Sequence, residues 1–108
     1  MSKPWPPPPD LESINEIVAT VDVEGFLAEG APADEYEIEA EEVHQVLSSW
    51  SIAELTADRI EPVLFEIWQR AFELDAASAS SRKPKLRELA EQIARFFGPD
   101  ATPQVRGL

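Results

Sequence analysis

Four segments of the chain repeat apolar residues at spacings of three and four, and none alternates apolar and polar residues as a strand does. Such spacing places apolar side chains on one side of an α-helix. The segments cover about 11–21, 35–49 and 58–75, and a fourth has Pro84 in its first turn and ends before Gly98. The sequence therefore predicts an all-α domain, a compact antiparallel four-helix bundle or a close variant of one.

Polar residues that accept hydrogen bonds from the first turn of a helix predict where these helices begin. With Asp58 as a cap, Pro62 would fall in the first turn, where its missing N–H has no intrahelical partner to lose. The small, polar residues 76–81 predict a flexible connection between the last two helices. The predicted caps are Asp10, Asp34 with Glu37, Ser51 with Glu54, Asp58 with Glu61, and Ser81.

The 108 residues are enough for one domain with a modest apolar core. We predict a proline-rich arm over 1–9, a helical domain over 10–98 and a loose tail over 99–108. Trp50 and Trp68 fall on apolar stripes and are predicted core residues. The arm suits an extended polyproline helix. Three interpretations of it stay open: a ligand for an aromatic-lined groove, a segment that packs Trp5 onto the domain, or a plain extension.

Negative charge is concentrated in the first 58 residues, where 14 acidic residues face Lys3 alone, a formal 1 − 14 = −13. The other 50 residues carry eight Lys/Arg and seven Asp/Glu, or +1. Nucleic-acid binding needs clustered cations, so this distribution favours a basic protein partner over nucleic acid. One small basic group at the start of the last long helix predicts solvation or pairing with the acidic helices: Arg82, Lys83, Lys85 and Arg87.

The chain contains no cysteine, no apolar run long enough to span a membrane and no signal-peptide pattern in its first 30 residues. We therefore expect a cytoplasmic protein without a membrane partner.

No arrangement of residues predicts catalysis, because the single histidine has no nucleophile motif and no phosphate-binding glycine loop is present. We predict a protein that is not an enzyme and needs no cofactor. One alternative remains: Glu37, Glu41 and His44 stand at helical spacing and could bind a hard cation, which would make the chain a small carboxylate–histidine metal-binding protein or enzyme.

Carboxylates of the loop after the first helix and of the second helix form the candidate binding surface. Their summed field would accelerate encounter with a basic partner. The leading hypothesis is a protein-interaction module, possibly an immunity or antitoxin-type inhibitor of a cationic toxin. A structural or adaptor module that binds through the proline-rich arm is the other alternative. The candidate binding residues are Asp22, Glu24, Glu29, Asp34, Glu35, Glu39 and Glu42.

Two short motifs carry a resemblance to a known family: Asp-Val-Glu-Gly-Phe-Leu at 22–27 and Gly-Ala-Pro-Ala-Asp-Glu-Tyr at 30–36. The chain resembles the YugE-like family of small bacterial helical proteins, which has a similar Asp-Pro-x-Gly-Leu-Leu segment followed by Gly-Ala-Pro-x-Asp-Glu-Tyr before a helix. Val23 stands where the family pattern has proline. The resemblance covers this segment well and the helices through Phe72 more loosely. It implies a helical fold and no assigned reaction.

Overall fold

The structure, a computed structural model, describes residues 8–32, 34–99 and 101. Within these ranges the chain forms five α-helices, one short 3-10 helix and no β-strand. The prediction of an all-helical domain is confirmed, and the count of helices is five rather than four. The helices are α1 (Leu11–Val21), α2 (Glu37–Leu47), α3 (Ala57–Ala71), α4 (Ala76–Ser81) and α5 (Lys83–Phe97), and the 3-10 helix covers Ile52–Glu54.

Helix α1 has the predicted bounds and the predicted cap. The Asp10 carboxylate accepts a hydrogen bond from the Ser13 backbone N–H at 2.9 Å. The helix ends at Asp22, whose φ of 51° and ψ of 59° lie in the left-handed region. Because an aspartate tolerates this conformation better than most side chains do, the helix can stop here without a glycine.

Helix α2 begins two residues later than predicted, and the prediction that Asp34 caps it is wrong. Residues 34–36 form a turn in which Pro32 O accepts from the Glu35 N–H at 3.1 Å and Asp34 O accepts from the Glu37 N–H at 3.0 Å. Tyr36 therefore occupies the N-cap position and makes no capping bond through its side chain.

Ser51 and Glu54 form the predicted capping box, but it begins the 3-10 helix instead of a longer helix. Helix α3 follows Thr56 as N-cap, so the prediction that Asp58 caps it is wrong. Pro62 is the sixth residue of α3 and not part of its first turn. Its missing N–H therefore removes a bond that the helix would otherwise make.

The prediction of a flexible connection over residues 76–81 is also wrong, because these residues form α4. The Asp75 carboxylate caps α4 by accepting from the Ser78 N–H at 2.7 Å, and Ala79 is buried against the core. Alanine has the highest helix propensity, which with this cap suits the short helix. Ser81 belongs to α4 and does not cap α5, which has Arg82 at its N-cap position.

The core lies between α1, α2, α3 and α5, with contacts from α1 to α2, α2 to α3, α3 to α5 and α5 to α1. Trp68, Tyr36 and Phe97 are its largest fully buried side chains, while Trp50 is half-buried and packs against it. Helix α5 ends at Gly98, as predicted, and the position accepts only glycine for a steric reason. A β-carbon there would collide with the backbone oxygens of Leu55 and Ala94, so only glycine lets the chain pass.

Along the described ranges, no helix combines the length and the apolar character that crossing a bilayer requires.

Candidate protein-interaction site

The loop between α1 and α2 is organised by the Asp22 carboxylate. Its two oxygens accept from the backbone N–H groups of Leu27 at 3.1 Å and Ala28 at 3.0 Å, and from the Tyr36 hydroxyl at 2.6 Å. Burial raises the pKa of Asp22, but the bonds from Tyr36, Leu27 and Ala28 outweigh it and hold the pKa below its ordinary value. Asp22 is therefore a structural residue of the loop, because its carboxylate binds groups of the protein itself.

Tyr36 links the two ends of the loop. Its ring is buried, stacks on Phe26 at a centroid distance of 5.9 Å and lies 6.2 Å from the Trp68 ring. Its hydroxyl donates to Asp22 and accepts from the Glu24 N–H at 3.0 Å. Burial, together with the bond to the Asp22 carboxylate, raises the pKa of Tyr36. The hydroxyl therefore stays protonated and keeps donating to Asp22.

Glu24 anchors the same loop to α5. Arg82 Nε and Nη2 donate to both Glu24 carboxylate oxygens, with distances of 2.9 to 3.1 Å. The Glu24 side chain is only 6% exposed and that of Arg82 is 31% exposed, so water screens the pair poorly. Two parallel bonds to one carboxylate fix orientation as well as distance. This ion pair joins residues 58 positions apart, and Glu24 is not available to a partner.

Ile38 is the most exposed of the large apolar side chains described, at 67%. Ile38 lies in the first turn of α2, so helical spacing places Glu41 beside it. Asp34 and Glu35 lie in the turn that precedes the helix. We name as the α2 acidic surface Ile38 together with the exposed residues Glu29, Asp34, Glu35, Glu37 and Glu41.

The carboxylates of the α2 acidic surface are exposed to water. Across the part of the chain that the structure describes, none of these five carboxylates forms an ion pair. The surface therefore presents one exposed apolar side chain among uncompensated negative charges.

The remaining candidate residues on α2 are less accessible. Glu39 is buried, at 8% exposed, and burial, with the nearby carboxylates of Glu42 and Glu35, raises its pKa. Glu42 accepts from Arg70 at 2.8 Å in an ion pair at the surface. Of the seven predicted binding residues, the structure thus leaves Glu29, Asp34 and Glu35 exposed and unpaired among the described residues.

Within the described residues, three members of the basic group form ion pairs, Arg82 with Glu24 and Lys85 with Glu88 at 3.6 Å among them. Arg87 donates to Asp58 at 2.8 Å and to Glu61 at 3.1 Å. Lys83 lies 5.4 Å from the centre of the Phe65 ring. Pairing, one of the two roles predicted for this basic group, is therefore found for three of its four members.

The metal alternative finds no geometric support. Among the residues described, no three His, Asp or Glu side chains form a group that could hold a metal ion. Glu37 and Glu41 instead contribute charge to the α2 acidic surface.

Three features escaped the sequence reasoning: the exposure of Ile38, the Glu24–Arg82 ion pair and the role of the Tyr36 hydroxyl. Ile38 does leave a signal, because it falls outside the 36, 40, 43, 47 stripe of buried α2 residues. Residues 1–7 of the proline-rich arm and most of the predicted tail lie outside the described residues.

Comparisons of the chain with protein-family models, with curated proteins and with solved structures find no match. The resemblance to the YugE-like family stays a prediction.

Proposed function

We propose that this protein is a non-enzymatic interaction module that binds a basic protein through the α2 acidic surface, most concretely as an immunity or antitoxin-type inhibitor of a cationic toxin. The observation that carries the proposal is Ile38, 67% exposed among carboxylates that have no cation beside them in the described structure. An isolated apolar side chain on a charged helix has no role in packing this domain. It suits a partner that supplies an apolar pocket with a cationic rim.

Binding energy in protein interfaces concentrates in a few apolar anchors that charged and polar contacts surround. The surrounding charge mainly sets the rate of encounter and the choice of partner. The α2 acidic surface has both parts: Ile38 as the anchor, and Glu35 and Glu41 as members of the charged rim. A toxin that acts on nucleic acid has a basic active site, so carboxylates can cover that site where phosphates would lie.

The internal bonds of Asp22 and Glu24 support the same proposal in another way. They hold the loop against α2 and α5 and so keep Glu29, Asp34 and Glu35 in fixed positions before any partner arrives. Preorganised groups lose less conformational entropy on binding. We therefore assign Asp22 and Glu24 to positioning, and the exposed carboxylates with Ile38 to contact.

The test is capture of a basic protein from the source lysate on immobilised protein, followed by calorimetry with the captured protein at low and high salt. A Glu35→Lys/Glu41→Lys variant should lose capture, and the wild-type affinity should fall steeply with salt. The matched control is Glu66→Lys/Glu73→Lys, which changes the net charge equally at exposed positions on α3 and just after it. Equal loss in both variants would show a response to net charge only and would contradict the proposal.

Ile38→Ala separates the apolar anchor from the charge. We expect it to weaken binding at least tenfold, which is about 1.4 kcal/mol, with no change in the salt dependence. Ile52→Ala is its control, because Ile52 is also exposed, at 44%, but lies on the 3-10 helix. Unchanged binding by Ile38→Ala would refute the anchor role.

Three further predictions belong to this proposal: a cytoplasmic location, membership of the YugE-like family and an antiparallel bundle made by the four longer helices. The closed ring of contacts from α1 through α2, α3 and α5 supports the last of these.

A further inference from the structure

Glu42 lies next to the α2 acidic surface without being one of its members. A spacing of four residues places Glu42 one helical turn after Ile38, on the same side of α2. Burial, with the nearby carboxylates of Glu42 and Glu35, raises the pKa of Glu39, so Glu42 and Glu35 both lie close to the same buried side chain. Glu42 therefore belongs to the same group of negative charges as Glu35, although its side chain is only 36% exposed.

An ion pair with α3 occupies Glu42 in the free protein. Arg70 Nη2, in the last turn of α3, donates to Glu42 Oε2 at 2.8 Å. The Arg70 side chain is 63% exposed, so water screens the pair. Exposed pairs of this kind change an equilibrium by at most about fivefold. Release of Glu42 from Arg70 therefore requires little free energy, unlike release of the buried Glu24 carboxylate from Arg82.

We propose, building on the proposed function, that Arg70 holds Glu42 only in the free protein and that a lysine or arginine of the basic partner replaces it in the complex. A basic partner attracts the Glu42 carboxylate and repels the Arg70 guanidinium, so both forces favour the exchange. The displaced guanidinium stays in water, because most of the Arg70 side chain is exposed already. The contact surface then extends from Ile38 by one helical turn to Glu42.

The exchange narrows the kind of partner that fits. Side chains one turn apart on a helix have β-carbons about 5 to 6 Å from each other. The partner therefore carries a lysine or arginine directly beside the pocket that receives Ile38. Once that pocket excludes water, the attraction between Glu42 and the new cation becomes stronger than that of the exposed pair with Arg70. A basic protein without a cation at this place leaves Glu42 with Arg70 and gains nothing from it, so Arg70 discriminates among basic proteins.

The test is calorimetry at low salt with the basic protein that the capture experiment recovers, after its identification by mass spectrometry. Arg70→Gln should bind this protein about two- to fivefold more tightly than the wild type, because Glu42 no longer has to leave an internal partner. The matched control is Arg59→Gln, which removes the same charge from an exposed position about 16 Å away along α3. Its gain in affinity reports the effect of net charge alone and should be smaller.

Glu42→Gln should act in the opposite direction and weaken binding about threefold or more. Its control is Glu12→Gln, at an exposed position on α1. In the Glu42→Gln background, Arg70→Gln should give no larger gain than Arg59→Gln, since the carboxylate for which Arg70 competes is absent. Far-UV circular dichroism checks that all variants fold.

Two results would overturn the exchange. The first is an equal gain in affinity from Arg70→Gln and Arg59→Gln, which would leave only an effect of net charge. The second is an equal effect of Glu42→Gln and Glu12→Gln, which would mean that Glu42 does not contact the partner.

Other variants keep the exchange apart from the proposed function. If Ile38→Ala and Glu35→Lys/Glu41→Lys weaken binding of the same protein while the Arg70 and Glu42 variants behave like their controls, the proposed function stands and only the exchange falls. Unchanged binding by Ile38→Ala and Glu35→Lys/Glu41→Lys, or capture of no basic protein, would contradict the proposed function and the exchange with it.

Discussion

The Tyr36 hydroxyl carries a measurable share of the stability of this domain, and Tyr36→Phe isolates that share. The substitution keeps the ring and its contacts with Phe26 and Trp68. It removes a 2.6 Å bond to the Asp22 carboxylate and leaves the Glu24 N–H without its partner at 3.0 Å. A hydrogen bond to a charged group contributes about 1.5 to 3 kcal/mol, and a buried unpaired donor costs about 1 kcal/mol or more.

Because Asp22 is partly exposed, we take the lower end of the first range and expect a loss of about 2.5 kcal/mol at pH 7. With a urea slope of about 1 to 1.5 kcal/mol per molar for a domain of this size, the unfolding midpoint should fall by roughly 2 M. Urea titration followed by circular dichroism measures this shift. A loss below about 0.5 kcal/mol, within the range of ordinary surface substitutions, would contradict this role of the hydroxyl.

The same bond predicts a dependence on pH. The pKa of Asp22 is lower in the folded state than the unfolded value of 3.8, so its stabilising contribution is fully present above that pH and disappears on acidification through the folded pKa. The difference between wild type and Tyr36→Phe should therefore shrink below about pH 4. A double-mutant cycle with Asp22→Asn should give a coupling energy of about 1 kcal/mol. Additive losses would mean that the two side chains do not act together.

Three further changes test the other parts of the framework. Arg82→Met leaves the Glu24 carboxylate buried without its cation and should lower the free energy of unfolding by about 2 to 3 kcal/mol, measured by urea titration. This is less than for a fully buried pair, because Arg82 is 31% exposed. An unchanged unfolding midpoint would contradict the prediction. The pKa of Glu39 is raised above its ordinary value of 4.5 by burial, so the unfolded state favours the charged form and the residue lowers stability at neutral pH. Glu39→Gln should therefore raise the melting temperature at pH 7 and have no such effect at pH 3, and a lower melting temperature at pH 7 would oppose it. Asp75→Ala removes the bond from the Ser78 N–H and should speed amide exchange in α4 alone. Equal exchange rates in the variant and the wild type would rule out a capping role.

Several helix termini were predictable because their signals are local. Asp10 caps α1, and Ser51 and Glu54 form a capping box, each through groups within four residues in the chain. The Gly98 N–H at the end of α5 also bonds locally, to Ala94 O, although the distant Leu55 oxygen is what requires a glycine there. Asp34 and Ser81 show the same kind of pattern and do not cap. Asp34 belongs to a turn that ends before α2 begins, and Ser81 is the last residue of α4. Neither residue therefore occupies the N-cap position of the helix that follows it.

Charge was predictable in amount but not in availability. The sequence predicted seven carboxylates in one region, the loop after α1 and the outer side of α2. Spacing along a helix could not show that Glu24 pairs with Arg82 from a distant part of the chain, or that Glu39 is buried. Ion pairs between residues far apart in the chain depend on how helices pack, which no local pattern encodes.

The all-helical domain, its apolar stripes and its acidic first half follow from residue spacing and composition, so they are predictable without any structure. Which carboxylates face water depends on how the helices pack, because α5 brings Arg82 to Glu24 and the Tyr36 hydroxyl binds Asp22. The same packing keeps Ile38 exposed, since the four longer helices complete the core without it and leave that side of α2 uncovered.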